Sequence, residues 1–258
     1  MTIEKAKTFQ ALHVRGKPLV LFNIWDAGTA KAVTEAGASA LATGSWSVAA
    51  AHGYGDGEKI PLDFLVALAE RIAQASDLPL SIDFEGGYSA EPELAAANVA
   101  RILAAGAVGI NFEDQILGGS GLHPADAQAA RIRAIRAMAD RHGMPFFINA
   151  RTDLFLKEPD RARHPALLAD AIARGKAYAA AGASGFFVPA AADDDLIAEI
   201  CASVPLPVNV MMIAGVSPIP RLAELGVARV SFGPGPYRQA MATLTDAARD
   251  AFAAAAKH

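Results

Sequence analysis

The chain has 258 residues, of which 53% are hydrophobic and 19% are charged, and its formal net charge at pH 7 is −4. A length near 250 residues suits one large domain, so we expect a single domain over residues 1–258. The slight acidic excess provides no basic surface for a phosphate backbone or an anionic lipid, which argues against nucleic-acid and membrane partners. A small soluble molecule is the expected partner.

The ends of the chain and its cysteine content predict a cytoplasmic protein. The first residues lack the apolar core of a signal peptide, and polar residues interrupt every apolar stretch before the roughly 18 residues that a membrane span needs. The single cysteine, Cys201, lies in an apolar helical stretch with Ile197 and Ile200. We therefore expect a buried structural thiol there.

Eight apolar runs of strand length recur along the chain, and helical spacing of apolar residues fills the intervals between them. The predicted strands cover residues 19–24, 40–43, 80–84, 108–112, 146–149, 185–188, 208–211 and 227–232. Strands that alternate with helices pair in parallel, because each helix returns the chain to the same end of the sheet. Eight such units predict a closed (β/α)8 TIM barrel, with an open doubly wound sheet as the alternative.

Prolines and glycines mark the joints of this pattern in alternation. Prolines 18, 79, 145 and 207 precede the odd-numbered strands, and glycines 37, 106, 182 and 226 precede the even-numbered ones. Glycine suits the left-handed residue that ends a helix, and proline suits a strand entrance. The last predicted helix, over residues 236–257, is rich in alanine and carries Phe252. Its apolar surplus predicts packing on a second subunit in a homo-oligomer, either a dimer or a tetramer.

Acidic residues follow the third and fourth strands, at the end of the barrel where active sites lie. Alternation along a strand predicts that Asp83 and Glu85 share one face, and that Glu113 shares the face of Asn111. Two carboxylates on one face repel each other unless a cation or a proton lies between them. An oxygen-rich set of this kind suits Mg²⁺, with Mn²⁺ as an alternative, and does not suit zinc.

Other polar residues at this end of the barrel could have either a functional or a structural role. Arg151, after the fifth strand, could hold a carboxylate or phosphate of a substrate, or could pair with the acids. Asn209 could be a second donor to a carboxylate or a satisfied core amide. For Asp26 and Asp114 we favour a helix cap or an ion pair.

The glycine-rich residues 117–123 could close over a ligand as a lid or could simply form a flexible loop. The histidine at the end of this segment, His123, is one candidate proton donor. Tyr54 and Tyr88 are others, with solvent as the alternative. The Gly-Pro repeat at residues 233–236 matches no phosphate-binding pattern.

Five segments in the expected order resemble the isocitrate lyase and phosphoenolpyruvate mutase superfamily. They are Thr-Gly-Ser-Trp-Ser at 43–47, Asp56, Asp-Phe-Glu-Gly-Gly-Tyr at 83–88, Asn-Phe-Glu-Asp at 111–114 and Asn-Ala-Arg-Thr-Asp at 149–153. The resemblance implies Mg²⁺ held through Asp56 and the three acids above, partly by way of water. It also implies a 2-oxo acid whose oxygens meet the backbone amides of Ser45 and Trp46, and tetramers in which the last helix packs on a neighbour.

The candidate site residues follow from both lines of reasoning. Those for catalysis are Asp56, Arg151 and His123; those for substrate binding are Ser45, Trp46, Tyr88, Arg151 and Asn209; those for the metal are Asp83, Glu85 and Glu113.

Departures from the family pattern narrow the expected reaction. The lid segment lacks the Lys-Cys-Gly-His signature of the isocitrate and methylisocitrate lyases, and also lacks the lysine and asparagine of the mutase and phosphonopyruvate hydrolase members. Glu85 stands where many members have aspartate. We therefore expect a magnesium-dependent carbon–carbon lyase acting on a small 2-oxo or 2-hydroxy dicarboxylic acid, oxaloacetate decarboxylase-like, through a metal-stabilised enolate. The alternatives are a carbon–phosphorus enzyme acting on phosphonopyruvate or phosphoenolpyruvate, and a non-catalytic barrel that binds 2-oxo acids.

Overall fold

The computed structural model describes residues 2–256 and contains eight parallel strands in one sheet. The strands are β1 (Leu19–Leu21), β2 (Leu41–Ala42), β3 (Leu80–Asp83), β4 (Gly109–Glu113), β5 (Phe147–Arg151), β6 (Gly185–Phe187), β7 (Val208–Met211) and β8 (Arg229–Ser231). They pair in the order β1-β8-β7-β6-β5-β4-β3-β2. A parallel bridge from Ile24 to Thr43 brings the chain after β1 against the chain after β2. The predicted (β/α)8 barrel is therefore confirmed.

Helices surround this barrel. They are α1 (Thr2–Ala11), α2 (Ala27–Glu35), α3 (Ser45–Ala51), α4 (Leu62–Ala75), α5 (Pro92–Ala104), α6 (Ala125–Arg141), α7 (Leu154–Lys157), α8 (His164–Ala180), α9 (Asp194–Ser203), α10 (Ile219–Glu224) and α11 (Gly235–Ala255), with a 3-10 turn at Arg161–Arg163. Two short helices, α3 and α7, lie directly after β2 and β5. They were not predicted, and they form part of the wall around the carboxyl ends of the strands.

The four glycines that were predicted to end helices are found at helix ends. Gly37, Gly106, Gly182 and Gly226 adopt φ angles of 92°, 102°, 95° and 89°, which is the left-handed conformation that favours glycine. Five of the strands are shorter than predicted, β4 and β7 have the predicted length and β5 is one residue longer; their residues are nearly all buried. Cys201 is buried on α9, as predicted.

Aromatic rings fill the amino end of the barrel. The ring of His13 stacks on Phe147 at 4.0 Å between centroids, and Phe9 of α1 meets both rings edge-on. Burial lowers the pKa of His13 to about 3, so this histidine is neutral. This end is packed shut, which leaves the opposite end of the barrel to bind ligands.

Helix α11 is the most exposed of the long helices. Only Pro236 within it is buried, while the exposed fractions of Leu244 and Phe252 are 62% and 75%. None of the helices in residues 2–256 combines the length and apolar character needed to cross a membrane.

Candidate active site

A cavity of about 240 Å³ opens at the carboxyl ends of the strands. Its polar lining comes from β1 to β5 and the loops after them, with one hydroxyl from the end of β8: Asn23, Ser45, Ser47, Asp56, Asp83, Glu85, Asn111, Glu113, Gln115, Arg151 and Ser231. The structure thus gathers the three candidate metal acids, Asp56, Arg151, Ser45 and Trp46 around one space, although these residues are spread over more than a hundred positions in the sequence.

Asp83 ends β3 and has one carboxylate oxygen free. Its Oδ2 accepts hydrogen bonds from the backbone N–H of Ser45 at 2.9 Å and from the Ser45 hydroxyl at 2.8 Å. Its Oδ1 is buried and has no partner among the described residues. A buried carboxylate oxygen without a partner is costly, so this oxygen is suited to a ligand or a cation. The Ser45 amide is already bonded to Asp83 here, whereas the family resemblance assigned it to the substrate.

Glu85 reaches the same cavity by a route that strand alternation did not predict. The strand ends at Asp83, and Glu85 adopts a left-handed conformation with φ of 49°. Its Oε2 accepts the backbone N–H of Glu58 at 2.7 Å. Burial first, and then the charge of Asp83, raise the pKa of Glu85 to about 8.

Glu113 and Arg151 face each other across neighbouring strands. Arg151 Nη1 lies 2.9 Å from Glu113 Oε2, and its Nε and Nη2 donate to the two oxygens of Asp153 at 2.6 and 3.0 Å. Burial raises the pKa of Glu113 well above its usual value, and the charge of Arg151 opposes that shift. Both interpretations of Arg151 hold at once, because it lines the cavity and is ion-paired.

The acidic residues of the cavity are chemically suited to a divalent cation, although their side chains are not arranged around a metal position. No three or more histidine, cysteine, aspartate or glutamate side chains in residues 2–256 are already arranged around a metal position, because Arg151 engages Glu113 and the Glu58 amide engages Glu85. The donors are nevertheless all oxygens, and four carboxylates line a cavity with one guanidinium. Mg²⁺ keeps several waters and needs only one or two direct carboxylates. The free oxygen of Asp83 supplies one.

Three candidate residues lie away from this cavity. Tyr88 has φ of 58°, and its ring packs on Phe84 at 5.5 Å. His123 directly follows the small hairpin that the Gln115–Leu122 bridge closes. It lines a second cavity, of about 180 Å³, together with Tyr88. Asn209 is buried two residues below Met211, the end of β7, so its side chain lies one layer deeper in the barrel. We predicted that these three residues face the substrate, and in the structure none of them lines the cavity.

The two acids for which we favoured a structural role have one. Asp26 caps α2 by accepting the backbone N–H of Thr29 at 2.7 Å. Asp114 is buried and accepts the Tyr178 hydroxyl at 2.7 Å and a guanidinium N–H of Arg174 at 3.0 Å. Neither lines the cavity.

Sequence reasoning missed part of the wall. Asn23, at the carboxyl end of β1, donates to the Thr43 carbonyl and accepts the backbone N–H groups of Phe232 and Gly233. Asn23 is a polar residue near the carboxyl end of the first predicted strand, and that position could have identified it. Leu117 reaches the cavity from the glycine-rich segment, which forms a hairpin through a bridge from Gln115 to Leu122. No sequence pattern indicated which apolar residues line the cavity. They include Leu156, Phe187, Pro189, Met211 and Pro234.

Comparisons with known proteins agree with this architecture. The family described as phosphoenolpyruvate phosphomutase matches residues 9–252. An uncharacterized protein of Mycobacterium tuberculosis is 38% identical over 242 residues, which cover 94% of this chain and 88% of that protein. The 2-methylisocitrate lyase of Escherichia coli is 29% identical over 208 residues, or 78% of this chain and 68% of that enzyme. Among solved structures, a Burkholderia cenocepacia protein described as a "putative phosphonomutase" is 48% identical with a TM-score of 0.94, covering 97% of this chain and 100% of that chain.

Proposed function

The chain belongs to the phosphoenolpyruvate phosphomutase family, within the phosphoenolpyruvate mutase and isocitrate lyase superfamily, and on that basis we propose that it is a magnesium-dependent carbon–carbon lyase. Its proposed substrate is a small 2-oxo or 2-hydroxy dicarboxylic acid, and its proposed reaction is oxaloacetate decarboxylation or a close relative of it. The observation that carries this proposal is the free oxygen of Asp83 beside Glu85, Glu113 and Arg151 in one cavity.

Arg151 is the proposed anchor for a substrate carboxylate. Its Nε and Nη2 are held by Asp153, which fixes the plane of the guanidinium. Its Nη1 faces Glu113, and a substrate carboxylate could replace Glu113 there. The exchange would free the buried Glu113 carboxylate, and the cation would then replace Arg151 as its counter-charge.

Asp83, with Glu85, Glu113 and Asp56 acting partly through water, would hold the cation, Mg²⁺ or alternatively Mn²⁺. The cation would stabilise the negative charge that develops on the 2-oxo oxygen of the substrate. In oxaloacetate the bond from C3 to the distal carboxylate breaks, CO₂ leaves, and the electron pair moves toward that oxygen. C3 then takes a proton, which gives pyruvate. We assign this proton to solvent at the mouth, because none of Tyr54, Tyr88 and His123 lines the cavity.

The charge of the wall favours carbon–carbon over carbon–phosphorus chemistry. Arg151 is the one cationic side chain that lines the cavity within the described residues, and it already balances two acids. A phosphonate carries more negative charge than a carboxylate and would need further cationic donors. The lysine and asparagine that the mutase and hydrolase members carry in the lid are missing from residues 117–123.

A homo-oligomer is also proposed, since the exposed Leu244 and Phe252 of α11 leave apolar surface that a second subunit could cover.

The deciding experiment is the turnover of oxaloacetate with Mg²⁺, measured as pyruvate formed above the enzyme-free rate. We expect Asp83→Ala to abolish this turnover and chelation by EDTA to do the same in the natural chain. Glu70→Gln, an exposed change on α4, serves as the control. Undiminished turnover by Asp83→Ala contradicts the mechanism. Phosphate release from phosphonopyruvate would favour the carbon–phosphorus alternative, and tight ligand binding without turnover on a broad panel would favour a binding protein.

A further inference from the structure

A buried arginine lies inside the barrel, below the cavity, with most of its hydrogen-bonding capacity unused. Arg229 of β8 is 0% exposed, and its Nη2 donates to the side-chain oxygen of Asn111 at 3.0 Å. Its Nε and Nη1 have no partner among the described residues. Burying a guanidinium with so few partners costs stability, so the residue calls for an explanation beyond packing.

Arg229 fixes the orientation of the Asn111 amide. The side chain of Asn149 donates to the same oxygen of Asn111, at 2.8 Å. A guanidinium carries only donors, so the Asn111 atom that faces it must be the oxygen. If the amide flipped, two N–H groups would meet the donors of Arg229 and Asn149. Asn111 is thereby locked with its oxygen toward the barrel interior.

The NH₂ group of Asn111 must then point the other way, toward the cavity that Asn111 lines. Asn111 pairs with Asp83 across the sheet and lies two residues before Glu113 on the same strand. The free oxygen of Asp83 accepts no hydrogen bond from it. The cavity, which four carboxylates line, therefore contains a neutral donor with no protein acceptor among the described residues.

We propose that Asn111 is a substrate-binding residue that donates a hydrogen bond to an oxygen of a bound 2-oxo acid, and that Arg229 is the positioning residue that holds it in the donating orientation. The identity of the ligand rests on the proposed function. A neutral donor suits this place, because it attracts an anionic oxygen without pairing permanently with the surrounding acids.

The test measures binding rather than turnover, with oxalate as the probe because it is a small, stable dianion with the oxygen spacing of a 2-oxo acid. Asn111→Asp keeps the shape of the side chain and gives Arg229 a charged partner, but it places an oxygen where the donor was. We expect the affinity for oxalate with Mg²⁺, measured by calorimetry, to fall about 10-fold or more, in line with the loss of a hydrogen bond to a charged group. Mn²⁺ affinity without oxalate, measured by electron paramagnetic resonance, should not fall.

Two further variants test the positioning role. Arg229→Met frees the Asn111 amide to flip, so oxalate affinity should fall about 3-fold or more while the thermal stability stays the same or rises. Arg229→Lys keeps a donor against Asn111 and should restore most of the affinity. Gln74→Glu, which adds a charge on α4 outside the cavity, is the control for charge alone. If Asn111→Asp fails to fold, Asn111→Ala gives the same reading.

Unchanged oxalate affinity in a folded Asn111 variant overturns the inference, as does a natural chain that binds no oxalate with Mg²⁺. If the variants lose oxalate while the natural chain binds it but decarboxylates nothing, the inference stands and the proposed function fails. If the natural chain turns over oxaloacetate and the variants bind oxalate normally, the proposed function stands and the inference fails.

Discussion

The mouth of the barrel has two chemically different sides. The polar side, from β2 to β5, carries Asp83, Glu85, Glu113 and Arg151, whereas the lining from β6 to β8 includes Met211 and Phe187 and no charged side chain. On the polar side the charges are partly satisfied by each other and by backbone amides. On the apolar side the described lining offers the Ser231 hydroxyl but no opposite charge for a second charged group. The reacting head of a substrate therefore belongs against the polar side, and any hydrocarbon part belongs against the other.

Four non-glycine residues in the described part of the chain adopt a left-handed backbone conformation, and three of them lie on the polar side; the fourth, Ala190 with φ of 65°, follows Pro189 on the apolar side. Glu58, Glu85 and Tyr88 adopt φ angles of 58°, 49° and 58°, which non-glycine residues seldom do. All three lie in loops of the polar side, and Glu58 links them by accepting the Tyr88 amide at 2.6 Å while donating its own amide to Glu85. Strain of this kind persists where the surrounding contacts impose it, and it is common at functional sites.

The largest expected effect concerns pH and the charge of the polar side. The folded-state pKa of Glu85 is raised to about 8 from 4.5, so Glu85 stabilises the metal-free fold below pH 4.5 and loses that contribution as the pH rises through about 8. Burial shifts the pKa of Glu113 in the same direction. We expect the metal-free protein to lose a few kcal/mol, at about 1.4 kcal/mol per pKa unit, between pH 5 and 8.

Thermal unfolding in EDTA across that range measures this loss. Glu85→Gln should flatten the profile, and Mg²⁺ should raise the unfolding temperature more at pH 8 than at pH 5, because the cation binds the ionised acids. A profile that rises from pH 5 to 8 in EDTA would contradict the burial of these carboxyl groups.

The second prediction separates charge from geometry at Arg151. Arg151→Lys keeps the positive charge but has one donor nitrogen in place of the three in one plane that reach Glu113 and both oxygens of Asp153. We expect kcat/KM for oxaloacetate to fall about 100-fold, since a planar guanidinium that Asp153 holds in place through two hydrogen bonds is replaced by a point charge that no longer fixes the donor facing the substrate. Steady-state kinetics measure the change, and Arg163→Lys, at an exposed position, is the matched control. A fall no larger than that of the control would remove Arg151 from substrate binding.

The fold and the site were predictable from sequence to different extents. Strand count and helix ends are local properties, so the hydrophobic runs and glycines such as Gly37 and Gly106 were sufficient to predict the barrel. The grouping of acids at one end followed from topology alone. The left-handed turn at Glu85 depends on contacts with the loop around Glu58, which no local pattern indicates.

Contacts across the barrel interior were beyond sequence reasoning. Asn111 and Arg229 are separated by 118 residues and meet only because β4 and β8 enclose the same space. A single arginine in an apolar run gives no sign of whether it points into the barrel or outward. The same holds for Tyr88 and His123, whose distance from the cavity is set by the turns that precede them.

A third, smaller effect is expected behind the polar side, where Asp114 supports the fold without lining the cavity. Tyr178→Phe removes the hydroxyl that donates to Asp114 at 2.7 Å and also accepts from Arg174. We expect unfolding to be easier by about 1–2 kcal/mol, the usual cost of losing a buried hydrogen bond to a charged group. Urea denaturation measures this loss. Turnover at saturating oxaloacetate should stay within about 2-fold, and a larger loss of activity would give Asp114 a part in the reaction.

The smallest effect is expected on the apolar side, where the size of the wall would select among substrates rather than drive the reaction. The Met211 sulfur lies against the backbone of Gly233, so closely that a Cβ at position 233 would come within 2.6 Å of it. Met211→Ala removes this part of the wall and should change kcat/KM for oxaloacetate by less than about 3-fold. It should raise the relative rate with a 2-oxo diacid that carries an alkyl group at C3, by about 4-fold for each methylene accommodated, because burying one is worth about 0.8 kcal/mol. Competition between the two substrates in one reaction measures the ratio directly, and Leu94→Ala, at an exposed position on α5, is the control. Equal losses with both substrates would mean that Met211 supports the polar side and that hydrocarbon does not bind against it.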